Sequence, residues 1–250
     1  EGVDPTKMMF SPAVGIGHFV WSSGSAGLDK SGQVPGPAIE SQARQVFVNL
    51  GEALVAAGSS WDRVVKVNCY LTHAARDFPG WNKVWQQYFA VNPPARTTVG
   101  SSLLRDEWLI EAEMVYLIGE EKGAKMEKQV IIPEGRDPSK MVIAPGTRAG
   151  NVIYLSGSAG AKDGKLAGDD IESQARQAME NLGVVLKAAG SSWEKVVKVN
   201  CFLVHASRDF QGWNKVWKEY FPTNPPARTT VGADIAMQGA LIEVELIALA

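Results

Sequence analysis

The feature that most constrains this chain is that it says nearly everything twice. Ala57–Leu71 (AGSSWDRVVKVNCYL) returns as Ala189–Leu203 (AGSSWEKVVKVNCFL), GWNKVW occurs at Gly80–Trp85 and Gly212–Trp217, and NPPARTTVG occurs unchanged at Asn92–Gly100 and Asn224–Gly232. All three pairs are offset by 132 residues, whereas SGSAG at Ser23–Gly27 and Ser156–Gly160 is offset by 133, so one loop residue was gained or lost between them. A period of this length is a whole domain, not the short unit of a solenoid. The chain is a fused duplicate. The 250 residues give room for two ordinary domains.

The join is legible as well. Residues 119–128 (GEEKGAKMEK) are charged and aperiodic, as an exposed connection is. We therefore place domain 1 at residues 1–119, a linker at 120–128 and domain 2 at 129–250. EGVDPTKM at the start aligns with EGRDPSKM at Glu134–Met141, so the strand-like VIIP of Val130–Pro133 has no counterpart in the first copy. The natural polypeptide is expected to begin some residues before Glu1.

In the second copy, Asn151–Ser158 is β-branched and apolar before a Gly-rich turn and reads as a strand. Asp170–Ala189 places Ile171, Ala175, Met179, Leu182 and Leu186 at helical spacing and stops at Gly190. Val196–His205 alternates as a half-buried strand. Phe210–Phe221 reads as a second helix with Trp213, Val216, Trp217 and Tyr220 on one face. Ala227–Gly232 and Ala240–Leu249 read as closing strands. Each unit is then strand, strand, helix, strand, helix, strand, strand, with an extra first strand complete only in copy two. Helices on one face of a mixed sheet make an α+β fold, and the helix-free face must find a cover, which points to oligomerisation.

Composition narrows the functions. A net charge of −2 offers no basic face of the kind nucleic-acid binding uses. No apolar run reaches the roughly eighteen residues of a membrane span. Cys69 and Cys201 lie inside apolar runs without CxxC or Cys/His spacing, as buried thiols of a reducing compartment do. A cytoplasmic location is expected, an organellar leader being compatible with it. No metal, nucleotide or nucleophile-elbow motif occurs.

Two charged positions repeat in matching contexts. They are Arg96 and Arg228 in PPARTTVG, and Glu111 and Glu243 in LIEAE and LIEVE, fifteen residues later. If the two strands of a copy pair antiparallel, Arg and Glu of that copy meet at one end of the sheet. An Arg fork suits a carboxylate, and a partly buried Glu can orient or deprotonate water. Residue types alone favour a structural Arg–Glu ion pair that pins two strands, and Glu113 and Glu245 share the strand face. His73 and His205 read as loop residues, His18 has no counterpart, and the GWNKVW stripe reads as core.

The string ESQARQ…AAGSSW..VVKVNC(Y/F)L…WN.VW..YF…PPARTTVG…IE.E closely resembles RidA/YjgF-type proteins, the reactive-intermediate deaminases also called L-PSP endoribonucleases, over both copies. The resemblance implies chorismate-mutase-like α+β domains, sheets packed in threes, pockets between neighbouring domains, and hydrolysis of 2-imino or enamine acids to 2-oxo acids and ammonia without cofactor or metal. It assigns carboxylate binding to Arg96 and Arg228, water orientation to Glu111 and Glu243, and pocket walls to Ser23, Gly24, Ser156 and Gly157. Departures from the pattern are equally specific: Thr98 and Thr230 stand where Cys is usual, and Phe10 and Ile143 where Tyr is usual. Trp108 opposes Ala240 in the variable loop, Ser101–Trp108 against Ala233–Ala240. Changed walls imply a substrate larger or more apolar than the smallest enamine acids. A pathway-specific catalyst on a larger imine or enol carboxylate, or a non-catalytic carboxylate-binding module, is the competing reading; ribonuclease activity is disfavoured for want of a basic groove or a His pair. Rings of three domains imply a homotrimer of fused chains, a pseudo-hexamer.

Overall fold

A computed structural model of the chain describes residues 11–121 and 124–250. The first unit runs β1 (Ala13–Ile16), β2 (Phe19–Ser22), β3 (Ser25–Ala26), α1 (Ile39–Ala56), β4 (Val64–Leu71), α2 (Ala74–Tyr88), β5 (Ala95–Gly100) and β6 (Ile110–Leu117). A ribbon of β7 (Glu120–Glu121) with β8 (Ala124–Lys125) occupies the connection. The second unit runs β9 (Lys128–Ile131), β10 (Gly146–Ala149), β11 (Val152–Leu155), β12 (Ser158–Ala159), β13 (Ala161–Lys162), β14 (Lys165–Leu166), α3 (Ile171–Ala188), β15 (Val196–Leu203), α4 (Ala206–Tyr220), β16 (Ala227–Gly232), β17 (Asp234–Ile235) and β18 (Ile242–Leu249). The expected elements are present. α4 starts four residues before the Phe210 at which its aromatic stripe begins, because its first turn, Ala206–Asp209, is mostly polar and adds nothing to an apolar period.

The order of the first sheet is β1-β2-β6-β4-β5-β17 with β3 on β6; that of the second is β16-β15-β18-β11-β10-β9 with β12 on β18. β5 runs parallel to β4, and β6 antiparallel to β4 on its other side. The expectation that the Arg strand and the Glu strand of one copy pair with each other is therefore corrected: β4, or β15 in the second unit, lies between them. The reason is α2. Chain that leaves β4 and returns through a helix re-enters parallel to it, and β6 must take the remaining edge.

In both units the helices bury one sheet face. Phe47 stacks on Trp81 at 5.3 Å and lies beside Trp85, and all three side chains are fully buried. In the second unit Met179 takes the place of Phe47 in the same position, with Trp213 and Trp217. The GWNKVW stripe is core, as its spacing implies. Cys69 and Cys201 are buried free thiols.

The helix-free faces turn towards each other, so one unit covers part of the other's open face. Val65, Ala95, Leu117, Ala149 and Tyr154 form a cluster of their own there. At its side Lys66 Nζ, buried, sits 2.6 Å from Glu245 Oε2 and donates to Thr97 Oγ1 at 2.8 Å and to the Leu155 carbonyl at 3.0 Å. β17 of the second unit adds itself to the edge of β5, with Ile235 opposite Val99. A groove of about 240 Å³ remains between the sheets, lined by Lys66, Asn68, Glu113, Lys198, Asn200 and Glu245 among others.

Candidate functional site

Identical hexapeptides end up in opposite surroundings. ARTTVG of β5 is buried at every residue, whereas ARTTVG of β16 is largely exposed. What buries β5 is the second unit. The Arg96 N–H donates to Ser156 Oγ at 2.7 Å, the Gly157 N–H donates to the Arg96 carbonyl at 3.1 Å, and Ser156 Oγ donates onward to the Ala144 carbonyl at 2.5 Å. Ser156 thus has its hydroxyl occupied in joining the halves, while Gly157 comes to lie on a cavity.

That cavity, of about 350 Å³, is lined by Phe78, Arg96 and Thr98 from the first unit and by Ile143, Gly157, Ala159, Ile235, Ala236, Met237 and Glu243 from the second. The Arg and the Glu that meet here come from different copies, which corrects the pairing expected within each copy. Arg96 is held at one tip of its guanidinium by Asn82, whose Oδ1 accepts from Nη2 at 2.7 Å, and the guanidinium lies 4.6 Å over the Trp85 ring. Its Nη1 is buried and has no partner among the described residues. A buried donor without an acceptor is costly unless a ligand fills it. Burial pushes the Arg96 pKa down to about 10, still charged at neutral pH.

Glu243 reaches the cavity from β18. Burial first, and Glu245 two residues on, push its carboxyl up to about 7, against the pull of Lys66 and Arg96. Glu245 titrates the other way: burial alone would raise it, but Lys66 with the hydrogen bonds from Asn200, Lys66 and Thr97 outweighs that and holds it ionised. Two carboxylates on one strand are thereby given different tasks, one fixed in an ion pair and one left near its titration point. No ion pair joins Glu243 to Arg96 among the described residues, so both face open space. Gly157 makes the approach possible, since a Cβ at that position would fall on the Glu243 carboxylate. Gly24 stands in the same relation to Glu111.

The remaining expected residues divide clearly. Thr98 and Ile143 line the cavity. Arg228, on Asn214 at 2.9 Å and over Trp217 at 4.6 Å, repeats the Arg96 arrangement without a second wall. Its strand mate Thr230 lies on the same uncovered β16. Glu111, half-buried and pushed up by burial and by Glu113, lies on the interior strand β6 opposite β3, into which Ser23 and Gly24 lead. Ser23 Oγ donates to the Ser11 carbonyl at 2.6 Å. Trp108 is buried beneath Arg105 at 5.6 Å and is not among the lining residues of the Arg96 cavity, which takes its variable-loop wall from Ile235–Met237 instead. Phe10 lies outside the described residues. Sequence reasoning missed Asn82 and Asn214, although their signal was printed twice in GWNKVW as a polar residue repeated inside an aromatic stripe. It also missed Phe78 and the Ile235–Met237 wall, because only β17 pairing places that loop on β5.

The model of the endoribonuclease L-PSP family matches residues 3–118 and again 141–250. Protein mmf2, mitochondrial, of Schizosaccharomyces pombe is 46% identical over 104 residues, 40% of this chain and 82% of that protein. The human 2-iminobutanoate/2-iminopropanoate deaminase is 36% identical over 99 residues, 39% of this chain and 72% of its own length. The 3-aminoacrylate deaminase RutC of Acinetobacter baylyi is 33% identical over 125 residues, 49% of this chain and 98% of that protein. Among solved structures, yeast Mmf1 is 29% identical, covering 49% of this chain and 98% of its own, with a TM-score of 0.44. Matched twice along its length by one family model, the chain belongs to the endoribonuclease L-PSP family, the RidA/YjgF group, as a tandem duplicate.

Proposed function

We propose that the Arg96–Glu243 cavity hydrolyses 2-imino acids, and the enamines in equilibrium with them, to 2-oxo acids and ammonia. The observation that carries this is the pairing, in one cavity, of a buried guanidinium nitrogen without a partner and a carboxyl whose pKa lies near neutrality. Arg96 grips the substrate carboxylate. The substrate enters as its iminium; Glu243, ionised, takes one proton from water as the water oxygen bonds to C2, and the C=N electron pair moves to nitrogen to give a carbinolamine. Glu243 then passes that proton to the nitrogen, and as the C–N bond breaks and ammonia leaves, the hydroxyl proton returns to Glu243 and C=O forms. A carboxyl near pH 7 serves in both directions. No step calls for a cofactor or metal. The walls of Phe78, Ile143, Ile235 and Met237 suit a substrate with an apolar stem, larger than the smallest enamine acids. Apart from Arg96 and Glu243 these walls are uncharged, which gives a polyanionic ribonucleic acid nothing to hold.

The test uses imines generated in situ from branched amino acids. Wild-type protein is expected to speed their decay, and Arg96→Ala or Glu243→Gln to lower kcat/KM by about 100-fold, as losing a charged hydrogen bond or the base does. Decay no faster than in buffer overturns the proposal. We further propose that whole chains associate with Arg228 and Lys198 of one chain against Glu111 and Glu113 of another. No helix of the described residues is long and apolar enough to cross a membrane.

A further inference from the structure

We propose that the substrate of the Arg96 cavity carries a second acid group, bound by Arg136. This rests on the deaminase reading above and names its substrate class. The two copies differ at this point: EGRDP at Glu134–Pro138 aligns with EGVDP at 1–5, so the second copy has Arg136 where the first has Val3. Beside the Arg96–Glu243 cavity lies another of about 220 Å³, and the two share Arg96, Ile143 and Gly157 as walls. Its remaining walls include Arg136, Ser156, Ser158 and Asn181, and no carboxylate. Two arginines, two serines and an amide around one small space suit an anion.

The loop that carries Arg136 is fixed at both ends. The Arg136 N–H donates to the Pro133 carbonyl at 3.2 Å, Asp137 Oδ1 accepts from the Ser139 N–H at 3.0 Å, and Trp85 Nε1 donates to the Val142 carbonyl at 2.9 Å. The acids that share its outer mouth are Glu134, Asp137 and Asp163. Asp137 pairs with Lys140 at 3.7 Å, and none of the three forms an ion pair with Arg136 among the described residues. The guanidinium is therefore free to take an acid from solution. A 2-imino dicarboxylate would place its C1 carboxylate on Arg96, its methylene stem along Ile143, and its distal carboxylate at Arg136. Imines formed from acidic amino acids have this shape.

Arg136→Val, the residue of the first copy, tests this in two ways. In turnover, kcat/KM for an imine made in situ from glutamate is expected to fall about tenfold through KM with kcat retained, as loss of one charged contact from an exposed side chain does. The imine from leucine should change by less than about twofold. Arg136→Lys should recover part of the loss. Calorimetric titration with 2-oxoglutarate and 4-methyl-2-oxopentanoate gives the same comparison without turnover, so it stands even where the hydrolase reading fails. Equal weakening of both ligands, or none of the dicarboxylate, overturns the assignment.

Discussion

At the scale of single residues, the site depends on Glu243 being hard to ionise. Its carboxyl, raised to about 7, sets the expected pH profile: kcat/KM climbs as pH rises through about 7 and levels above it, because only the carboxylate can take the proton of water. In Glu243→Gln the residual rate should show no such limb. The stability effect has the opposite sense. A carboxyl whose folded pKa exceeds its unfolded value of about 4.3 favours folding while protonated, and that advantage is lost as pH rises towards the folded value. Glu243→Gln should therefore raise Tm at pH 8 and leave it nearly unchanged at pH 4, measured by thermal melts at both. Gly157→Ala probes the same spot sterically. Its Cβ must displace the Glu243 carboxylate, so activity should fall at least about tenfold while the protein still folds, since the crowding atom ends a side chain.

At the scale of elements, the two copies act as controls for each other. α3 is capped by Asp170, whose carboxylate accepts the Ser173 N–H at 2.9 Å; α1 has Ala38 at its N-cap and no side-chain cap. Asp170→Ala should lower the midpoint of chemical denaturation of the second unit, and Ala38→Asp should raise that of the first. The helical stripes of both copies were legible because aromatic and aliphatic residues recur every three to four positions, whatever lies beyond them. The first turn of α4 was not, because polar residues at a helix start carry no period. Sheet order was hidden for a related reason. Alternation in β5 and β6 shows that each has an inner face but not which strand lies beside it, and β4 was the neighbour of both.

At the scale of the molecule, the union of the halves rests on few buried charges. Lys66, Thr97 and Glu245 satisfy one another where the sheets meet, and Lys66→Met would leave Glu245 buried without its cation. A loss of about 3–5 kcal/mol is expected, with the two units melting apart instead of together. Lys198 repeats the contact to its own threonine, donating to Thr229 at 2.6 Å, and Glu113 repeats the contact to its own asparagine, accepting from Asn68 at 3.1 Å, but neither makes an ion pair among the described residues. Light scattering is accordingly expected to give a particle of more than one chain, and Lys198→Glu to reduce it to single chains. A single-chain mass for the wild type would remove the proposed association.

The sequence by itself determined what each copy is: an α+β unit with its helices, its aromatic core and the Arg, Glu and Ser-Gly positions, because these depend on local period and on residue chemistry repeated in the chain. It could not determine which Arg meets which Glu. Two identical ARTTVG strands have the same propensities and the same pattern, yet Arg96 is buried against the second unit while Arg228 has none beside it. Burial, the displaced titration of Glu243 and the cavity itself come from one sheet face closing on another, and that contact is a property of the pair of units that neither copy contains alone.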